Sequence, residues 1–193
     1  MKNNQLTKGK LLRTGGLLLA LMAAIAVTGV LGMEHLATQT VHLATAQDAI
    51  TEIVLADMFH DATRADVNGA FRVVAQNNGG ESDLQAEFQA DNDELLAHLQ
   101  AAAAFDLTDE ESAALKETST TATAYLKAAK ASLDATLSGA EDSAAAFTTY
   151  SSRFDALESS LASLHDMFAK GSQDTRAAAR DTRSSSMRQM LIV

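Results

Sequence analysis

The sequence predicts an all-α fold: an N-terminal transmembrane helix continuous with an antiparallel, up-down-up-down four-helix bundle. Three observations lead there. The 193 residues include no Pro and only 10 Gly and are rich in Ala, so the strongest helix breaker is missing and the best helix former abundant. Residues 14–33, TGGLLLALMAAIAVTGVLGM, form one uncharged run as long as a helix needs to cross a bilayer. Downstream of that run, apolar residues recur in alternating steps of three and four, the spacing of a buried bundle seam.

The first residues carry Lys2, Lys8, Lys10 and Arg13, and no acid occurs before Glu34. Positive charge on the N-terminal flank holds that end in the cytoplasm. Residues 1–13 therefore read as a cytoplasmic basic tail, 14–33 as transmembrane helix 1, and 34–187 as an exported domain. This places the protein in the inner (cytoplasmic) membrane with its main domain in the periplasm. A cleaved signal peptide would share the basic flank, but the apolar run exceeds the usual signal core and Gly32-Met33 makes a poor cleavage site. At the other end, Arg188 is followed by Gln189-Met190-Leu191-Ile192-Val193, so 188–193 reads as the start of an incomplete second transmembrane helix.

Residues 34–187 hold 10 basic residues and all 25 acids, a net charge of −15 within an overall −10. That balance suits a solvated exterior. It argues against nucleic-acid binding, which needs positive charge to displace phosphate counterions. Without Cys there is no disulfide framework, thiolate zinc site or cysteine nucleophile.

Three punctuation signals divide the exported part. Asn77-Asn78-Gly79-Gly80 forms a turn, where Gly accepts the left-handed conformations that end helices. Asp106-Leu107-Thr108 is the second break, and Thr108 with Glu111 three positions later makes a capping box. Gly139 closes that helix, and Glu141-Asp142 put negative charge near the positive end of the next. The expected helices are 34–76, 82–105, 109–138 and 141–187. Short connections make neighbours antiparallel.

Each helix has a seam. The fourth shows Phe147, Tyr150, Phe154, Leu157, Leu161, Leu164 and Phe168. The third shows Leu115, Ala122, Leu126, Ala129, Leu133 and Leu137, and the second Leu84, Phe88, Leu95 and Leu99, interrupted near Asp91 and Asn92. The first begins with Leu36, Leu43, Ile50 and Val54. Helix one would span roughly 65 Å and helix two only about 36 Å at about 1.5 Å per residue, so helices one and four should extend towards the membrane as a paired stalk. Two seven-residue repeats, His-Leu-Ala-Thr at 35–38 and 42–45 and Asp-Thr-Arg at 174–176 and 181–183, suit such a stalk.

Continuing the register of Ile50 and Val54 lands on Asp57, Asp61, Arg64 and Asn68 before Phe71. Polar side chains buried there must be paired, hydrated or facing a partner. One possibility is a structural ion-pair cluster of Asp61 with Arg64. The other is a recognition site for a small polar ligand, with Arg64 and Arg72, eight residues apart on nearly one face, gripping a carboxylate. Pairing residue 76 with 141 sets Arg64 near Arg153 and Arg72 near Ala145, with Thr148, Thr149 and Tyr150 at the intervening level. The expected ligand-binding set is therefore Arg64, Arg72, Asn68, Thr148, Thr149 and Tyr150, beside a polar seam of Asp57, His60 and Asp61. Similar counting puts His60 level with His98, which raises a His/Asp metal site; scattered His among abundant acids explains the coincidence more simply, and no metal is assigned. His35, His42 and His165 read as stalk or surface residues. No nucleophile-base constellation, phosphate loop or cofactor motif occurs, which argues against an enzyme.

These residues resemble the sensor half of bacterial methyl-accepting chemotaxis proteins with a four-helix-bundle ligand-binding domain. The local match is DMFHDATRADV at 57–67, similar to a Met-His-Asp-Ala-x-Arg-x-Asp-Val stretch of such receptors, with Phe59 in place of the common Met. The layout from basic tail to SSSMRQMLIV is similar throughout. The resemblance implies a homodimer packed through helix 1, a small-molecule ligand such as an organic acid or amino acid bound through helix-one Arg and helix-four polar groups, and relay by displacement of helix four. Arg64 and Arg72 are the matching candidates, without the fuller Arg set of amino-acid receptors. The signalling half is not in this chain, which reads as a receptor fragment. Alternatives are a periplasmic structural or metal-binding helical bundle released by signal cleavage, the sensor of a histidine kinase or cyclic-dinucleotide enzyme, and a constitutive scaffold.

Overall fold

A computed structural model describes the backbone of residues 3–77 and 79–191 and the side chains of 37–184 apart from 39, 42, 78 and 183. The described residues form four helices and no strand: α1 (Asn3–Gln76), α2 (Glu81–Ala102), α3 (Asp109–Leu137) and α4 (Ser143–Leu191). They fall into two compact units. One comprises Met1–Val41 and Thr175–Val193, segments of α1 and α4; the other is His42–Asp174, a four-helix bundle. Among the described residues no helix is long and apolar enough to cross a membrane. The backbone of 14–33 is helical within α1, but the side chains of that segment and of 188–193, on which both membrane expectations fall, lie outside the described set.

The helix ends follow local chemistry. Thr108 Oγ1 accepts from the Glu111 amide at 3.2 Å and the Glu111 carboxylate accepts from the Thr108 amide at 2.9 Å, the reciprocal pair of a capping box. After α3, Gly139 takes φ 65°, and the amides of Ala140 and Gly139 donate to the carbonyls of Ala135 and Thr136, satisfying the last orphan acceptors of the helix. Asn77, at φ 49°, turns the chain out of α1. α2 stops at Ala102, earlier than expected, because Ala103 and Ala104 tighten into a turn. Glu141 and Asp142 stand just before α4, which begins at Ser143.

Contacts set the topology of the bundle. Glu52 meets His98 and Thr63 meets Asn92, so α1 and α2 run antiparallel. Thr118 meets Ser160 while Tyr125 lies against Phe154 and Tyr150, so α3 and α4 do too. His60 stacks on Phe154 and Phe71 meets Phe147 edge-on, which closes α4 antiparallel against α1. The core collects Leu95, Leu99, Leu115, Leu133, Leu157, Leu164 and Phe168, each at most 2% exposed. Full burial stabilises each by roughly 1.5–3 kcal/mol relative to exposure.

The α4 seam lies where its spacing puts it. The α1 seam does not. Val54 is 51% exposed and Phe71 44%, and Asp57, Asp61, Arg64 and Asn68 all face solvent. The buried face is shifted to Ala49, Ile53, Ala56, His60, Thr63, Val67 and Ala70. Small Ala side chains let the neighbouring helices close onto this face, and the larger Val54, Met58 and Phe71 are left outside. Gly69 continues the close approach: a Cβ there would stand 3.1 Å from Leu84 Cδ1 of α2.

Candidate functional site

The register shift changes which polar groups α1 buries. Asp57, Asp61, Arg64 and Asn68 do not form a buried seam; the enclosed polar residues of this stretch are His60, Thr63 and Asp66. The His60 ring stacks on Phe154 at 4.2 Å between centroids and meets the Tyr125 ring edge-on at 4.7 Å. The Tyr125 hydroxyl donates to the His60 carbonyl at 3.2 Å. Burial pushes the imidazole down to about 4, with nearby Arg64 adding to the shift and Asp61 opposing it, so His60 is neutral near pH 7. Its Nε2 is enclosed without a partner, and Nδ1 stands 3.9 Å from Asp57 Oδ1, beyond hydrogen-bond reach.

Arg64 lies on the outer side of this aromatic group, its Cζ 4.6 Å from the Phe154 ring centroid. Among the described residues no carboxylate comes within 4 Å of Arg64 or Arg72, so the expected Asp61–Arg64 ion pair is not formed. The polar group around Arg64 is therefore not a self-neutralised cluster. The α1/α4 register from sequence holds to within a residue, since Arg64 lies over Phe154 where Arg153 was expected.

The α4 members of the expected site behave differently from one another. Thr148 and Thr149 are exposed and donate their hydroxyls to the Ala144 and Ala145 carbonyls one turn back. Tyr150 is buried, beside Tyr125 at 5.8 Å between ring centroids. Its hydroxyl has no partner of acceptable geometry, and burial pushes its pKa up to about 12. Asn68 and Arg72 are exposed on α1.

N-terminal to Arg64 along α1, α1 and α4 line an open cavity of ≈ 380 Å³. Its polar wall is Asp57, His60 and Asp61 of α1 with Glu158, His165 and Asp166 of α4. Ile53, Leu161 and Ala162 supply apolar surface. The cavity thus takes in the seam residues Asp57, His60 and Asp61, but not Arg64, Asn68 or Arg72. Partial burial raises the Asp57 pKa, and repulsion by Asp61 and Glu158 raises it further. Glu158, His165 and Asp166 were missed as site residues because only the packed register of α4 sets them opposite Asp57.

The α1/α2 contact carries a second polar set. Thr63 Oγ1 donates to Asn92 Oδ1 at 3.0 Å, with both residues buried. Asp66, 8% exposed, faces Asp91, with Glu87 nearby; burial, then these acids, push its carboxyl up to about 7. Asp66 Oδ2 finds no donor, as expected where two carboxylates face each other, and a proton on Asp66 donated to Asp91 satisfies it. The sequence signal for this pair was the interrupted helix-two seam at Asp91 and Asn92. His98 stands away from His60: its Nδ1 donates to Glu52 Oε2 at 2.7 Å and its ring stacks on Phe59 at 5.5 Å. Among the described residues no three His, Cys, Asp or Glu side chains are placed to hold a metal ion.

Compared with known proteins, the chain matches no family profile and no curated sequence.

Proposed function

We propose that this chain is the membrane-anchored, extracytoplasmic sensor module of a chemotaxis receptor, binding a small polar or anionic ligand and relaying it by helix displacement. The observation that carries the proposal is Arg64. It is a permanent cation with no carboxylate within 4 Å among the described residues, laid over Phe154 of α4 within the receptor-like stretch 57–67. A ligand carboxylate that engages Arg64 competes for the guanidinium that bridges α1 to Phe154, so binding acts on the α1/α4 contact.

Other features support the same assignment. The apolar run 14–33 and its basic flank suit an inner-membrane anchor, and α1 joins that run to the bundle as one helix, Asn3–Gln76. Val54, Met58, Phe71 and Val74 leave 44–52% of their surface exposed along α1, apolar area that a homodimer packed through helix 1 would cover.

The test is a fusion of residues 1–193 to the signalling half of a chemotaxis receptor, with kinase output recorded against a panel of organic acids and amino acids. At least one compound should change the output, and Arg64→Ala should remove that response without changing membrane abundance. Silence towards every compound, or full response from the variant, would sink the proposal.

A further inference from the structure

We infer that the α1/α4 cavity is a binding site for a linear aliphatic diammonium compound, separate from Arg64 and independent of the sensor proposal. Four carboxylates, Asp57 and Asp61 from α1 with Glu158 and Asp166 from α4, line one concavity of ≈ 380 Å³, and no Lys or Arg lines it. The basic groups beside these acids are imidazoles: neutral His60 lies 3.9 Å from Asp57, and His165 lies 3.7 Å from Asp166. The charge of this cavity is therefore not balanced by a permanent cation of its own.

The second observation is His60. It is 1% exposed, lines the cavity, and makes no hydrogen bond through either ring nitrogen, while Nδ1 is turned towards Asp57 across a gap. The atom that faces the gap is Nδ1, whose lone pair is open to a donor when the ring proton sits on the enclosed Nε2. An ammonium group in the gap donates to Asp57 and to the free lone pair of neutral His60 together. The Asp57 carboxyl is raised first by burial and then by the negative charge of Asp61 and Glu158, and a cation would relieve the second of these.

The shape selects among cations. No three of the acids and imidazoles converge closely enough for a metal ion. The carboxylates sit instead on two helices, and helices pack about 8–10 Å apart. Ile53, Leu161 and Ala162 line the same cavity and suit an alkyl chain. An ammonium at each end of a short alkyl chain reaches acids on both helices at once.

The test is calorimetry of the full chain in nonionic detergent at fixed ionic strength, with 1,4-diaminobutane as the probe. Saturable binding with one diamine per chain is expected. Binding should weaken about tenfold for 1-aminobutane and for Glu158→Gln, in keeping with loss of one charge-assisted hydrogen bond. Asp57→Asn should weaken it similarly, and Glu110→Gln, on the exposed first turn of α3, should leave it unchanged. All three are exposed, near-isosteric changes, and coincident circular dichroism spectra verify the fold. No saturation, equal displacement by magnesium chloride, or equal loss in Glu110→Gln would overturn the assignment. Absence of diamine binding beside an Arg64-dependent response to an organic acid would overturn this site alone.

Discussion

Replacing Asp66 with Asn removes one ionisable oxygen from the α1/α2 contact while keeping the shape and a donor for Asp91. The wild-type carboxyl is displaced from its ordinary 3.8 to about 7, first by burial and then by Asp91 and Glu87. Below pH 3.8 the folded and unfolded chains both carry the proton, and Asp66 costs nothing. As pH rises, the unfolded chain releases its proton while the folded one retains it, so stability falls until the folded group ionises near pH 7. About three pH units at roughly 1.4 kcal/mol each set a ceiling of about 4 kcal/mol. Water reaching the part of Asp66 that stays exposed screens the contact, so about half of that ceiling, ~2 kcal/mol, is expected. The assay is urea unfolding of wild type and Asp66→Asn, followed by helical circular dichroism at pH 4 and pH 8. The variant should gain ~2 kcal/mol on wild type between those two conditions. An unchanged difference at the two pH values, or a variant less stable than wild type at pH 8, would refute the raised Asp66 carboxyl.

Three further substitutions probe other parts of the bundle. His60 titrates with the opposite slope: its folded pKa is depressed from 6.5 to about 4, so stability is full above pH 6.5 and declines as pH falls through that window. His60→Phe should flatten this acid limb by ~2 kcal/mol in the same unfolding assay; an unchanged limb would show that the buried imidazole is not its cause. Thr108→Ala removes the hydroxyl half of the capping box, leaving the backbone amide of residue 108 on Glu111, and should lower stability by about 1 kcal/mol, read as a reduced urea midpoint at constant slope. Leu157→Ala, at a fully enclosed position, should cost roughly 2–5 kcal/mol; a loss below about 1 kcal/mol would mean that the core around it collapses to fill the space.

The asymmetry between α4 and α1 shows where sequence patterns carry information. In α4 the seam consists of Phe, Tyr and Leu, whose burial dominates any alternative face, and Tyr150 through Phe168 are enclosed as their spacing indicates. In α1 the buried face relies on Ala49, Ala56 and Ala70, and in an Ala-rich chain those residues look like helix filler. Ile53 and Val54 offer two phases one residue apart, and the large side chains favour the one that ends in solvent. That single step misplaced Asp57, Asp61, Arg64 and Asn68 as buried. It also hid the enclosed Thr63 and Asp66. The α1/α4 register was legible because turn positions anchor it. The orientation of His98 towards Glu52 rather than His60 was not, because level along an axis does not specify direction around it.

The sequence by itself determined what depends on neighbours in the chain. The helices, the capping box at Thr108, the left-handed turn at Gly139 and the net charge all follow from propensity, hydrogen bonding and composition within a few residues. Only the tertiary structure decided which face of α1 is buried, that His60 lies between Tyr125 and Phe154, that Asp66 meets Asp91, and that acids from two helices line one cavity. Those outcomes depend on how closely helices approach and on the desolvation that follows. Both are set by side chains distant in sequence, and the packing of small residues against large ones selects among phases that local patterns leave equivalent.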